Sequence, residues 1–188
     1  MNESRGADVG VRRREGAARM TEPHLEQFML FHTGMIVPDL DAAMKTMAAG
    51  FGFAWADPIT TTGQMRNPTS VGQRTTRLTF STNGPHRVEL LEHIDGEMWR
   101  TAEHPVHHLG FAVPDLEDAC RHLEAKDYVP AFELHGPDDG APIAYYFRSP
   151  VGGLWIETVS YAVYQDLMKW VDSGLAPDVA KPGAGNVR

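Results

Sequence analysis

Apolar and polar residues alternate between two kinds of run along this chain. From Phe28 to Val37 the residues are mostly apolar, with a high β-branched and aromatic share, which predicts a buried strand. Pro38 ends it. Asp39 is placed to cap a helix carrying Leu40, Ala43, Met44 and Met47 at helical spacing, with Gly50 as its stop. Phe53 to Thr62 and Gln73 to Ser81 read as strands, separated by a loop holding Gly63, Asn67 and Pro68. Asn83-Gly84 signals a hairpin into the strand Arg87 to Glu92. Ile94 to Glu103 reads as a connection with a turn of helix at Met98-Trp99.

The same order of elements then recurs. His107 to Val113 predicts a strand, and Asp115 caps a helix with Leu116, Ala119, Cys120 and Leu123. Tyr128 to Leu134 and Ile143 to Phe147 are strands around a Gly/Pro/Asp loop, and Leu154 to Val159 is the last strand. The recurrence extends to residue identities. Positions 31–40 and 107–116 share His32/His108, Gly34/Gly110, Val37/Val113, Pro38/Pro114, Asp39/Asp115 and Leu40/Leu116. Later in each copy a strand carries one glutamate, Glu89 and Glu157. Solenoids need three or more repeats, so two copies indicate a duplicated module.

This organisation is α+β: a βαβββ module over residues 28–103, a second over 104–160, and a terminal segment over 161–188. In that last segment Val163, Leu167, Trp170 and Val171 form a helical stripe, expected to pack on the core or on a second subunit of a homodimer. A Pro- and Gly-rich tail from Ala176 is expected to fray. Residues 1–27, polar and containing Arg12, Arg13, Arg14 and Arg19, read as a disordered leader.

Composition narrows the class. The net charge of −8 argues against nucleic acid as a partner, and no apolar run approaches a membrane span of about 18 residues. Cys120 is the only cysteine, and no secretory signal is present, which fits a protein of the reducing cytoplasm.

The duplicated polar residues carry the chemistry. On a strand, alternate side chains share a face, so His32 lies with Gly34 and Ile36, and His108 with Gly110 and Ala112. The small residues leave open space beside each imidazole. A glutamate inside an apolar strand is costly to bury unless paired or coordinated. Two at duplicated positions need a common compensating charge. If a pseudo-twofold axis relates the modules, His32, Glu89, His108 and Glu157 can converge on one divalent cation. The competing reading makes them edge-strand polar residues facing solvent. His107 reads as an ordinary neighbour on the opposite face from His108. His24, His86, His93, His104, His122 and His135 lack repeat partners and read as surface or loop residues.

The doubled His-x-Gly-x-x-Val-Pro-Asp-Leu element, with a late Glu in each module, resembles the vicinal oxygen chelate superfamily of glyoxalases, bleomycin-resistance proteins and extradiol dioxygenases. The resemblance covers about Phe28 to Ser160. It implies paired βαβββ modules whose mixed sheets curl into a cup around a metal. It maps the ligands onto His32, Glu89, His108 and Glu157, holding one divalent Zn, Ni, Co, Mn or Fe. It also implies a metal-dependent lyase or isomerase that stabilises an enolate or enediolate of a small oxygenated substrate, with Glu157 or Glu89 as base. An iron-dependent extradiol dioxygenase, using His32, His108 and Glu157, and a metal-free binding or resistance protein are the alternatives. Glu89-Leu90-Leu91-Glu92 departs from the Leu-Thr-x-Asn that follows the glyoxalase glutamate, which argues against glutathione. Residues 53–81 contain Asp57 but no Glu, which argues against the two-base methylmalonyl-CoA epimerase.

Arg87 and Trp155 each stand two residues before their module's Glu. Alternation turns both toward the metal, as a charged and a flat wall for an anionic, partly apolar substrate.

Overall fold

A computed structural model describes residues 27–95, 98, 99, 106–136 and 140–176. Eight strands form one closed barrel in the order β1-β4-β3-β2-β6-β7-β8-β5, with β5 returning to β1. In chain order they are β1 (Met29–Val37), β2 (Ile59–Asn67), β3 (Ser70–Phe80), β4 (Arg87–Glu92), β5 (Val106–Val113), β6 (Val129–His135), β7 (Pro142–Arg148) and β8 (Trp155–Ser160). Helices α1 (Leu40–Phe51), α2 (Leu116–Glu124) and α3 (Tyr161–Ser173) complete the set. The doubled strand-helix-strand-strand-strand order is therefore present. The leader falls outside the described residues, as does the tail beyond residue 176.

Each copy folds by the same local logic. Asp39 Oδ1 accepts from Ala42 N at 2.8 Å, and Asp115 Oδ1 accepts from Asp118 N at 2.8 Å. Each cap satisfies a helix-end donor and contributes about 1 kcal/mol. α1 stops at Gly52, whose φ of 74° is left-handed, two residues beyond the expected Gly50. α1 covers Val37, Leu40 and Leu90 on the outer side of the first half. The cluster of Leu123, Phe147 and Ile156, with Cys120 beside it, is its counterpart under α2.

The modules join along two seams. At one, β1 runs antiparallel to β5, pairing His32 with Gly110 and Gly34 with His108. At the other, β2 and β6 pair only through Gln64–His135, Met65–Leu134 and Arg66–Glu133. The β2–β3 hairpin is longer than expected. Gly63, expected in a loop, lies within β2 opposite Arg74, and the turn falls at Pro68-Thr69. A Cβ on Gly63 would meet the His135 carbonyl oxygen at 2.5 Å, so glycine there permits the second seam rather than a turn.

Met98 and Trp99 form bends rather than a helical turn, and Ile94 N donates to Trp99 O at 2.7 Å. Both side chains are buried in the barrel interior. α3 packs on the core of its own chain. Trp170 and Val171 are buried, and Trp170 Nε1 donates to Asp57 O at 3.2 Å.

Candidate metal centre

Four buried side chains meet inside the barrel. His32, Glu89, His108 and Glu157 each offer a ligand atom, all within 4.8 Å of one another. The two Nε2 atoms are 2.8 Å apart. Glu89 Oε2 lies 3.4 Å from His32 Nε2 and 3.1 Å from His108 Nε2. Glu157 Oε2 lies 3.1 Å and 3.4 Å from the same atoms. The crossed equality of these distances is the pseudo-twofold relation of the modules. One chain supplies all four donors.

The repeated glycines explain how the imidazoles fit. A Cβ on Gly34 would stand 1.9 Å from His108 Cε1, and one on Gly110 would stand 1.8 Å from His32 Cε1. Each module's glycine thus makes room for the other module's histidine. The space beside each His is filled by an imidazole and is not left open for substrate.

Residues preceding the histidines are also placed by the backbone. The β1–β5 register skips at Phe31 and at His107. A bulge re-aims the side chain of the extra residue. Phe31 therefore packs edge-on against His32 at 4.3 Å between centroids, and His107 against His108 at 5.2 Å. His107 is not on an opposite face, because the bulge interrupts strict alternation. Its Nε2 lies 2.9 Å from Met98 O, and its Nδ1 lies 3.0 Å from His108 Nδ1. Burial, then the neighbouring His108 charge, lower its pKa to about 4, so the ring is neutral. The N–H must then be on Nε2, donating to the carbonyl, and Nδ1 accepts from His108 Nδ1–H. That arrangement leaves His108 Nε2 as the ring atom that could ligate a cation.

The quartet fits a divalent cation. Metal bonds of about 2.1 Å put neighbouring donors roughly 3.0–3.4 Å apart, close to the spacings here. Among the described residues, buried Glu89 Oε2 has no neighbour for hydrogen bonding beyond the two imidazoles, and buried His32 Nδ1 has no hydrogen-bond partner. Without a cation the carboxylates draw protons onto the imidazoles. Burial opposes this, but hydrogen bonds to Glu157 and Glu89 prevail, raising His32 and taking His108 to about 9. Burial is likewise overcome at Glu89 and Glu157, whose pKa values fall through hydrogen bonds to His108 and His32. Two adjacent imidazolium rings are an unfavourable substitute for one ion. Nitrogen and oxygen donors without thiolate suit Zn, Mn, Co, Ni or Fe.

The glutamates differ in one respect. On the strand beside each, Phe80 pairs with Glu89 and Tyr146 pairs with Glu157. The Tyr146 hydroxyl donates a short hydrogen bond to Glu157 Oε1, whereas Phe80 offers nothing to Glu89. Burial raises the Tyr146 pKa well above its usual value, so the phenol keeps its proton.

A cavity of about 420 Å³ adjoins the quartet, lined by Ile59, Leu78, Leu134, Ile143, Val163 and Leu167 among others. Its size falls within the range of ordinary ligand sites. Arg87 and Trp155 are not among its lining residues. Arg87 donates to Thr82 O at 2.6 Å and pairs with Asp172 at 2.9 Å. Trp155 stacks on His107 and lies under the Arg148 guanidinium. The cavity extends past Leu91 and Val159, toward the other ends of β4 and β8. His135, expected at the surface, is 4% exposed and lines the cavity. Trp99 and Arg74 are lining residues that no motif marks.

The profile of the Glyoxalase/Bleomycin resistance protein/Dioxygenase superfamily matches residues 31–147, more than half of the chain. The chain belongs to this superfamily. This vicinal oxygen chelate fold is also seen in a methylmalonyl-CoA epimerase bound to methylmalonyl-CoA and NH4+, at 19% identity and a TM-score of 0.51. That alignment covers 72% of this chain and 96% of the other. A Streptomyces coelicolor methylmalonyl-CoA epimerase variant with 2-nitronate-propionyl-CoA aligns at 19% identity and TM-score 0.51, over 71% and 97% of the two chains. Among curated proteins the comparison finds no match. In this vicinal oxygen chelate protein no described helix is long and apolar enough to cross a membrane.

Proposed function

We propose that the protein is a metal-dependent isomerase or lyase of the glyoxalase-like kind, acting on a small substrate with adjacent oxygens. The observation that carries this reading is the unlike treatment of two carboxylates in a common site beside an apolar cavity. When bound, a divalent metal on His32, Glu89, His108 and Glu157 supplies positive charge to substrate oxygens, which acidifies the neighbouring carbon.

The chain's residues then divide the work. Tyr146 fixes Glu157 through Oε1. Glu89 faces Phe80 where Glu157 faces Tyr146, and the neighbouring imidazoles hold it ionised, so Glu89 is the carboxylate assigned to accept a proton from carbon. Returning that proton to the same or an adjacent carbon completes an isomerisation. The apolar cavity wall excludes water from the transient carbanion.

Deuterium incorporation tests this. A panel of α-hydroxyketones, 2-oxo acids and acyl thioesters in D2O, followed by NMR with metal-loaded protein, should reveal exchange at a carbon beside the chelating oxygens. Glu89→Gln should lose about 100-fold or more of the exchange rate, and Glu157→Gln distinctly less. Each variant removes one anionic donor, so the difference isolates the base. Equal losses would remove the assigned role of Glu89. Oxygen consumption with catechols on the ferrous protein, without proton exchange on any panel member, would replace the isomerase reading with a dioxygenase.

A further inference from the structure

Arginines elsewhere in the described residues are engaged. Arg77 pairs with Asp41, Arg87 with Asp172 and Arg121 with Asp118, while Arg148 lies over Trp155. Arg66 also has a partner. Arg74 is different: it lines the cavity, half-buried, and its guanidinium has no hydrogen bond or ion pair among the described residues. It shares the inward face of β3 with Thr76, Leu78 and Phe80, all of them lining residues.

Position along that face gives the spacing. Phe80 packs against His32 at 5.3 Å, at the level of the quartet. Arg74 lies six residues earlier, about 20 Å of strand away at roughly 3.3 Å per residue. Between them the wall is mostly apolar, formed by Leu78, Ile59, Leu134 and Ile143, with Thr76 as a polar but uncharged member. Of the polar lining groups near this end, His135 is occupied by Gly140 O at 2.7 Å and Glu133 at 3.1 Å, and Thr62 by Thr75 at 2.9 Å. Glu89 and Glu157 are the only carboxylate residues lining the cavity among those described, and both belong to the quartet. A guanidinium lining a mostly apolar cavity, with no counter-ion among the described residues, has the charge and donors to take an anion. Trp99 adds a donor nearer the quartet. It is 4% exposed, its Nε1 has no hydrogen-bond partner among the described residues, and its ring lies 5.8 Å from that of Tyr146.

We propose that Arg74 binds an oxyanion, carboxylate or phosphate, at the end of the substrate remote from the quartet. The substrate class is thus an elongated molecule with an oxygenated head, an apolar middle and an anionic tail. An oxygen of the head accepts from Trp99 Nε1. This extends the metal-site reading above and rests on it.

The test uses hydroxamates as metal-binding heads on methylene spacers of graded length, ending in methyl, carboxylate or phosphonate. Binding to the full-length, metal-loaded protein is read by calorimetry. At one spacer length the anionic probes should bind at least tenfold more tightly than the methyl probe. Comparing the two anionic ends tells which source the tail resembles. Arg74→Met should abolish that preference and leave methyl-probe affinity unchanged, while Arg74→Lys should retain part of it. Binding of the methyl probe with no preference for an anion at any length overturns the subsite and leaves the metal reading intact. A preference that survives in Arg74→Met overturns it as well. If no hydroxamate binds the metal-loaded protein, the site reading fails and takes the subsite with it.

Discussion

Gly110→Ala tests the reciprocal packing at the centre. Its Cβ would stand 1.8 Å from His32 Cε1, where ordinary carbon contacts begin near 3.5 Å, so about 1.7 Å of separation must be found. The ring cannot swing freely, because Phe31 and Phe80 flank it at 4.3 and 5.3 Å. Overpacking of this kind costs about 1–3 kcal/mol, or roughly 2–12 °C in Tm for a chain of this size. The effect on metal should be larger, since ligand distances tolerate only about 0.2 Å. Withdrawal of His32 by several times that margin removes a donor, and affinity should fall by about 100-fold or more. Metal content after dialysis against a competing chelator measures it, with thermal melts of the metal-free protein as the folding check. Gly72→Ala is the control, because nothing lies within 4 Å of its added Cβ. Gly110→Ala protein with wild-type metal affinity would refute the idea that the glycine exists to admit the histidine.

Two further outcomes follow from the surroundings of the quartet. His107→Phe, which copies Phe31 of the first module, should keep the fold but weaken metal binding about 10- to 100-fold, because His108 loses the acceptor that sets its tautomer; unchanged affinity would make His107 mere packing. In metal-free protein the raised pKa of His108 contributes stability that is complete below 6.5 and lost as pH rises through about 9. Tm should therefore fall from pH 7 to 10 without metal and fall less with it. Parallel curves would show that metal and protons do not compete for the imidazole.

The duplicated motif made the donor set legible, because two His and two Glu at matching places leave few arrangements that satisfy all four. Helix caps were legible for the same local reason in both copies, in Asp39 and Asp115. What alternation could not supply was the effect of irregular backbone. A two-residue period puts His107 away from His108, and only the bulge brings their rings together. Alternation also assigns Arg87 to the face of Glu89 but says nothing about the end at which the barrel leaves space. Trp99 and His135 reach the cavity through a bend and a seam between modules, and neither has a periodic signature. Gly63 reads as a loop residue because its requirement comes from a strand paired with it from the other module.

The His–Gly contact is self-complementary: what His32 asks of Gly110, His108 asks of Gly34. Two identical modules related by a twofold axis could satisfy it without being covalently joined. Such a pair would carry the same residue opposite both glutamates, and neither carboxylate could be held while the other was free. Joining the modules in one chain removes that restriction. It lets tyrosine stand beside Glu157 and phenylalanine beside Glu89 while the donors stay matched. The peptide link between the halves is therefore what allows a site with matched donors to surround its two carboxylates differently.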